Sequence, residues 1–184
     1  VQPSIDEFDS EAINHYKNRI LSLRNRNVEP ILTLWHFDQP SWFSDMGGWH
    51  SEDAHLIFGE YVEKIVDELG DLVNIWTPLN EPNGWIYGSY VFNKFPPDNT
   101  KRRYTFRAYR NIVQSQRAAY DIIKDRNRES KVGIATTAGC FEPYDDGFIN
   151  KSISNLIRLI ERDKFLDKCE DHLDFIGVNN YYHY

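Results

Sequence analysis

One carboxylate in this chain stands apart by its company. Glu81 lies in Trp76-Thr77-Pro78-Leu79-Asn80-Glu81-Pro82, at the end of a short apolar run and directly after an amide. A carboxyl group so placed can pass a proton to an ether oxygen. Cleavage of a glycosidic bond uses two such groups, one of them protonated as general acid. Asn80 can donate a hydrogen bond to a sugar hydroxyl or to an opposing carboxylate. Pro82 disfavours helix for the residue before it and predicts an extended backbone at Glu81, keeping the carboxyl at the mouth of the run. Asn83-Gly84 supplies a turn next. Asn-Glu-Pro alone also suits a helix cap or a plain turn, so the weight rests on the apolar run before it and the turn after it.

His36, Asn179 and Tyr181 likewise fall at the ends of apolar runs. A lone His at such a place is ordinarily a structural hydrogen-bonder. His15, His50, His55, His172 and His183 show no metal-ligand spacing, so no metal is expected, and no other cofactor. Aromatic residues make up 15 %, which suits sugar platforms or an aromatic core. Trp35, Trp49 and Trp76 read as core, whereas Trp42 and Trp85, in segments after apolar runs, are candidates to border a site.

Stepping outward, four apolar runs read as buried strands: Pro30–Phe37, Val73–Leu79, Lys131–Ala138 and Leu173–Tyr181. Helical periodicity fills the intervals. Ile13, Tyr16, Ile20 and Leu23 recur at three- and four-residue steps, with Asp9 or Ser10 as N-cap. Ile57, Phe58, Tyr61, Val62, Ile65, Val66 and Leu69 form one stripe, with Ser51 as its cap and Gly70 as a left-handed stop. A third helix is predicted from about Thr100 to Arg128, and a fourth around Ser152–Phe165. Strands alternating with helices imply a parallel sheet with right-handed crossovers. An open doubly wound sheet and an eight-stranded barrel both fit. The lack of a glycine-rich phosphate loop weighs against the first, and polar residues at strand ends favour the second. At roughly 40–60 residues per unit, eight units need on the order of 350–450 residues. The α/β barrel is therefore expected to be partial over the whole of 1–184, as a segment of a longer protein.

Ordered motifs then resemble those of glycoside hydrolase family 1, the β-glucosidase family. Gln2-Pro3, Phe8-Asp9 and Ala12-Ile13 resemble the end of its second strand and the following helix. Thr33-Leu34-Trp35-His36-Phe37-Asp38-Gln39-Pro40 resembles its third strand, and Gly47-Gly48-Trp49 its next landmark. Trp76 to Pro82 looks like the fourth strand, Tyr90 with Phe95-Pro96-Pro97 the loop after it, and Asp174–Tyr181 the sixth strand. The resemblance implies a retaining β-glycosidase on a (β/α)8 barrel, with Glu81 as acid/base and Asn80 near the sugar 2-hydroxyl. His36 would bind the same ring, and Asn179 and Tyr181 would line the site near the nucleophile. A one-residue shift would choose Asn180 and Tyr182 instead. The nucleophile is a Glu on the family's seventh strand, beyond Tyr184. Phe37 departs from a common Trp, and Asn93 and Asp98 from glycines, all on the aglycone side.

Composition narrows the alternatives. The charge of −7 carries no basic stripe of the kind nucleic acid requires, and no apolar run approaches the roughly 18–20 residues of a membrane span. Neither nucleic acid nor membrane is expected as a partner; a β-linked oligosaccharide or an aryl or alkyl β-glycoside is. Two cysteines are too few for a disulfide framework, and with no signal peptide apparent the expected location is cytoplasmic, so the sequon at Asn150 reads as chance. The competing readings are a related endoglycanase, or a non-catalytic truncated barrel that binds sugar or a partner.

Overall fold

The computed structural model describes residues 1–95, 102–137, 142–158 and 164–180, with the backbone alone for 156–158. Four parallel strands lie in sequence order: β1 (Ile31–Trp35), β2 (Ile75–Leu79), β3 (Lys131–Thr137) and β4 (Phe175–Asn179). All four expected runs are strands, each somewhat shorter than its apolar stretch. Parallel neighbours joined through helices are the repeating unit of a barrel wall, and here the sheet has two outer strands, β1 and β4.

The helices bury the periodic stripes, with some corrections. In α1 (Ser10–Arg24), Asp9 is the N-cap and accepts from Glu11 and Ala12 N–H at 2.9 and 3.0 Å. Ile13 and Ile20 are buried, but Tyr16 and Leu23 are exposed, so the inward face is narrower than predicted. The helix α3 (Ala54–Leu69) buries the expected stripe. Ser51 does not cap it: Asp53 precedes Ala54, and Ser51 closes a 3₁₀ turn over Gly48–His50, its carbonyl accepting from Asn111 at 2.6 Å. Gly70 is not left-handed (φ −59°), because the chain continues into a second 3₁₀ turn, Gly70–Leu72. The third helix, α5 (Thr105–Arg126), packs along α3 and covers the same side of the sheet. Of the span of the expected fourth helix, the described residues fall in α6 (Phe148–Arg158) and α7 (Lys164–Cys169), and 159–163 lie outside them. Two five-residue helices, α2 (Ser41–Asp45) and α4 (Pro82–Ile86), were not foreseen.

Register sorts the strand side chains into two faces. Trp76 pairs with Val132, and both are fully buried beneath helices. Gly133 pairs with Phe175, and a Cβ on Gly133 would meet the Phe175 ring at 2.6 Å and its carbonyl oxygen at 2.5 Å, so only glycine lets β4 come this close. The strand starts are tied as well. The Lys124 ammonium of α5 contacts Asp174 at 2.6 Å, and the same carboxylate accepts the Val132 N–H at 2.8 Å.

Candidate active site

In a parallel α/β wall the strands' C-terminal ends gather the polar side chains, and Glu81 stands at the end of the inner strand β2. Strict alternation would turn Asn80 and Glu81 to opposite faces. The structure avoids this by leaving the extended conformation at Glu81 itself, and a slip in pairing comes just before the two residues. Trp76 pairs with Val132, but the bridge at Asn80 is to Ala135, so β2 uses one residue more than β3 over the same stretch. Pro78, which has no N–H to give a ladder, lies inside the slipped stretch.

The backbone of Glu81 is not extended as Pro82 led us to expect. It is left-handed, φ 44° and ψ 47°, and Pro82 opens α4 instead. A non-glycine residue in this region stores strain of order 1–2 kcal/mol. Two hydrogen bonds hold the conformation: Glu81 N–H to Ala135 O at 2.7 Å, and Trp85 N–H to Glu81 O at 3.1 Å. Asn80 N–H reaches Trp35 O at 3.1 Å, so the pair is tied to the strands on both sides.

The result brings three predicted residues together. The Asn179 side-chain amide, from the end of β4, donates to Glu81 Oε1 at 2.7 Å and to Asn80 Oδ1 at 3.1 Å. Of the two registers considered for β4, the structure therefore brings Asn179 to Glu81; Asn180 is exposed. Oε2 has no hydrogen bond among the described residues and faces the side of Gly84 and Thr137. A Cβ on Gly84 would lie 4.0 Å from Oε2 and 4.0 Å from the Thr137 hydroxyl. Sequence reasoning missed Thr137; its signal was its place at the end of β3, opposite Asn179.

His36 follows β1 and is exposed, with its ring edge-on to Phe37 at 5.4 Å. It makes no hydrogen bond with Glu81 or Asn80. Phe37 takes a left-handed backbone (φ 71°) and its ring meets Phe95 at 5.5 Å. Tyr181 lies outside the described residues. Trp85, a candidate to border the site, is instead buried at 2 %, packed on Trp35 and Tyr90, because α4 turns its ring inward. Trp42 is also held elsewhere, donating to Gln2 O at 3.0 Å. Trp35, Trp49 and Trp76 are core.

Behind α4, the Tyr90 hydroxyl meets His50 Nδ1 at 3.0 Å, and His50 stacks on Tyr104 at 4.4 Å. Burial, then the nearby Arg107 charge, lower the His50 pKa, while burial pushes the Tyr90 phenol well up. Both shifts favour the neutral rings, and the two side chains pack behind the helix. A cleft of about 530 Å³ opens elsewhere, walled by Gln2, Leu34, Trp42, Phe58 and Tyr61 among others, and Glu81 is not in its wall. Among the described residues no group of His, Cys, Asp and Glu could hold a metal ion.

The chain as a whole has relatives. The profile of Glycosyl hydrolase family 1 matches residues 3–169. The chain belongs to this family. This family 1 chain is 31 % identical over 186 residues to the chloroplastic galactolipid galactosyltransferase SFR2 of Arabidopsis thaliana, covering 93 % of the chain and 29 % of that protein. It is 26 % identical over 142 residues to a 1,4-beta-D-glucan glucohydrolase of Thermotoga neapolitana, covering 76 % of the chain and 33 % of the relative. The structure of a beta-glycosidase from Pyrococcus horikoshii superposes with a TM-score of 0.90 at 25 % identity, over 99 % of this chain and 46 % of that one. The chain thus spans about a third of the length of these curated relatives, and its four strands are part of a (β/α)8 barrel.

Proposed function

We propose that this chain supplies the acid/base side of a retaining β-glycosidase. Glu81 gives its proton to the glycosidic oxygen as the bond to the aglycone breaks, and then takes a proton from the water that releases the sugar. Asn179 holds Oε1, leaving Oε2 to face the substrate, and Asn80 sits where it can bond the sugar 2-hydroxyl. His36 binds the same ring, Tyr181 is assigned to the site's lining by the family resemblance alone, and the nucleophile is a second carboxylate outside this chain. The single observation that carries the reading is the bridge from Asn179 to both Asn80 and Glu81 at the strands' C-terminal ends. The substrates are β-linked oligosaccharides or aryl and alkyl β-glycosides, no cofactor takes part, and the proposed location is the cytoplasm.

The test is Glu81→Gln in the full-length protein. Hydrolysis of glycosides with poor leaving groups should fall on the order of 10²–10⁴-fold, with activated aryl glycosides spared in the first step. Azide should restore turnover by replacing the base-assisted water. Undiminished hydrolysis of an unactivated disaccharide would remove Glu81 from this role.

A second reading changes only the acceptor. The 31 % identity to a galactolipid galactosyltransferase favours transfer to a sugar hydroxyl in place of water. Product analysis with an added acceptor sugar separates the two, since glycoside formation in excess of free sugar marks a transferase.

A further inference from the structure

Residues 92–110 hold six cationic side chains, Lys94, Lys101, Arg102, Arg103, Arg107 and Arg110, against one acid, Asp98, in a chain of net charge −7. Those described gather at the end that carries Glu81. The segment after β2 stays at the strand's C-terminal end, and α5 begins there to run back along the sheet. Arg107 and Arg110, three residues apart, share one side of the start of α5, and Arg103 stands in the 3₁₀ turn Arg102–Tyr104 that leads into it. Phe106, between Arg103 and Arg107, is 76 % exposed, and Phe92 is 63 % exposed with the Lys94 ammonium 6.0 Å from its ring centre.

Three observations set this patch apart from an ordinary solvated face. Among the described residues no acidic side chain pairs with Lys94, Arg103, Arg107 or Arg110, whereas Lys64, Lys124 and Arg117 each have one. The first turn of α5 holds no acid, so the cations sit at the helix end where they are least favoured. Two large rings stand open to water within the same cluster, on the loop and helix joining the inner strands β2 and β3, away from the outer strands. Cations and protruding rings together match an anionic lipid surface, which offers phosphates and an interfacial layer for aromatic side chains.

We propose that the catalytic end of this chain docks on anionic lipid bilayers, Lys94, Arg103, Arg107 and Arg110 meeting the headgroups and Phe92 and Phe106 entering the interface. Docking of this kind needs no spanning helix, and none of the described helices is long and apolar enough to cross a membrane. The net negative charge repels the rest of the surface, so attachment is oriented with Glu81's end toward the lipid. The consequence for substrate, that sugars linked to lipid are within reach, rests on the glycosidase reading; the docking itself does not.

Co-sedimentation with vesicles tests it. The protein should bind equimolar phosphatidylcholine–phosphatidylglycerol vesicles at about 0.1 M salt and leave them at about 1 M, where screening shortens from ~10 to ~3 Å. It should ignore phosphatidylcholine alone. Arg103→Gln, Arg107→Gln and Arg110→Gln combined should weaken binding on the order of a hundredfold or more. Phe92→Ser with Phe106→Ser should weaken it roughly tenfold. All five positions are exposed, and unchanged circular dichroism shows that the variants fold. Glu81→Gln should bind as the parent does, which separates a failure of docking from a failure of catalysis. Equal binding to the uncharged vesicles, or a triple Arg variant that binds normally, overturns the proposal. So does full displacement by soluble inorganic phosphate at constant ionic strength, which would assign the patch to a free anion.

Discussion

β2 and β4 serve one site from unlike positions. β2 is an inner strand: Trp76, Thr77 and Leu79 are buried, and its end is bonded to β1 through Asn80 and to β3 through Glu81. β4 is an outer strand, paired among the described residues with β3 alone, with Val178 at 61 % and Ile176 at 49 % exposure. Within this chain the Glu81 carboxyl therefore stands on an inner strand, while the amide bonded to it comes from an outer one. Strain such as that at Glu81 persists only where surrounding structure over-determines it, and β2 provides that surround.

The comparison can be broken from either side. Trp76→Ala should cost about 3–5 kcal/mol in urea unfolding, because nothing fills the space between α3, α5 and the sheet. A loss under 1 kcal/mol would show β2 to be no better held than β4. Asn179→Ala should leave stability within about 1 kcal/mol, yet lower kcat/KM of the full-length protein roughly 10–100-fold. That is the worth of one hydrogen bond to a charged group. Equal losses in both measurements would make Asn179 part of the scaffold.

The start of β4 offers a pH test. Burial pushes the Asp174 carboxyl up, but the Lys124 hydrogen bond, the Val132 N–H and the charges of Lys124 and Lys131 outweigh it, holding its pKa below the ordinary 3.8. A depressed folded value contributes stability that is present above 3.8 and lost as pH falls through the folded value. Asp174→Asn should thus cost about 1 kcal/mol near neutral pH, a modest amount because water screens the pair, and the gap should close in acid below that range. A gap independent of pH would point to packing alone.

The strands and the long helices were legible because their signals are local: β1 to β4 are apolar runs between polar caps, and α3 carries one stripe. The triad of residues at the site was legible through its place at strand ends. What escaped the sequence depends on neighbours. The one-residue slip between β2 and β3 just before Asn80 exists only in pairing, as does the left-handed turn that carries Glu81 to the side of Asn80. The residue before Pro82 was expected to be extended, and the bond from Glu81 N–H to Ala135 O overrules that local preference. Trp85 turns inward because Trp35 and Tyr90 await it, and Gly70 stays right-handed because a 3₁₀ turn follows.

The left-handed backbone at Glu81 has an evolutionary consequence. A glycine at this position would relax the strain and stabilise the fold, at the loss of the carboxyl group. If Glu81 is the acid proposed above, selection for activity and selection for stability would therefore pull this one codon in opposite directions. A lineage released from the need to cleave glycosides would gain by giving up the acid while keeping the barrel wall around it. On that reading, the identity of residue 81 in descendants of this chain would be a more sensitive record of retained chemistry than the integrity of the fold.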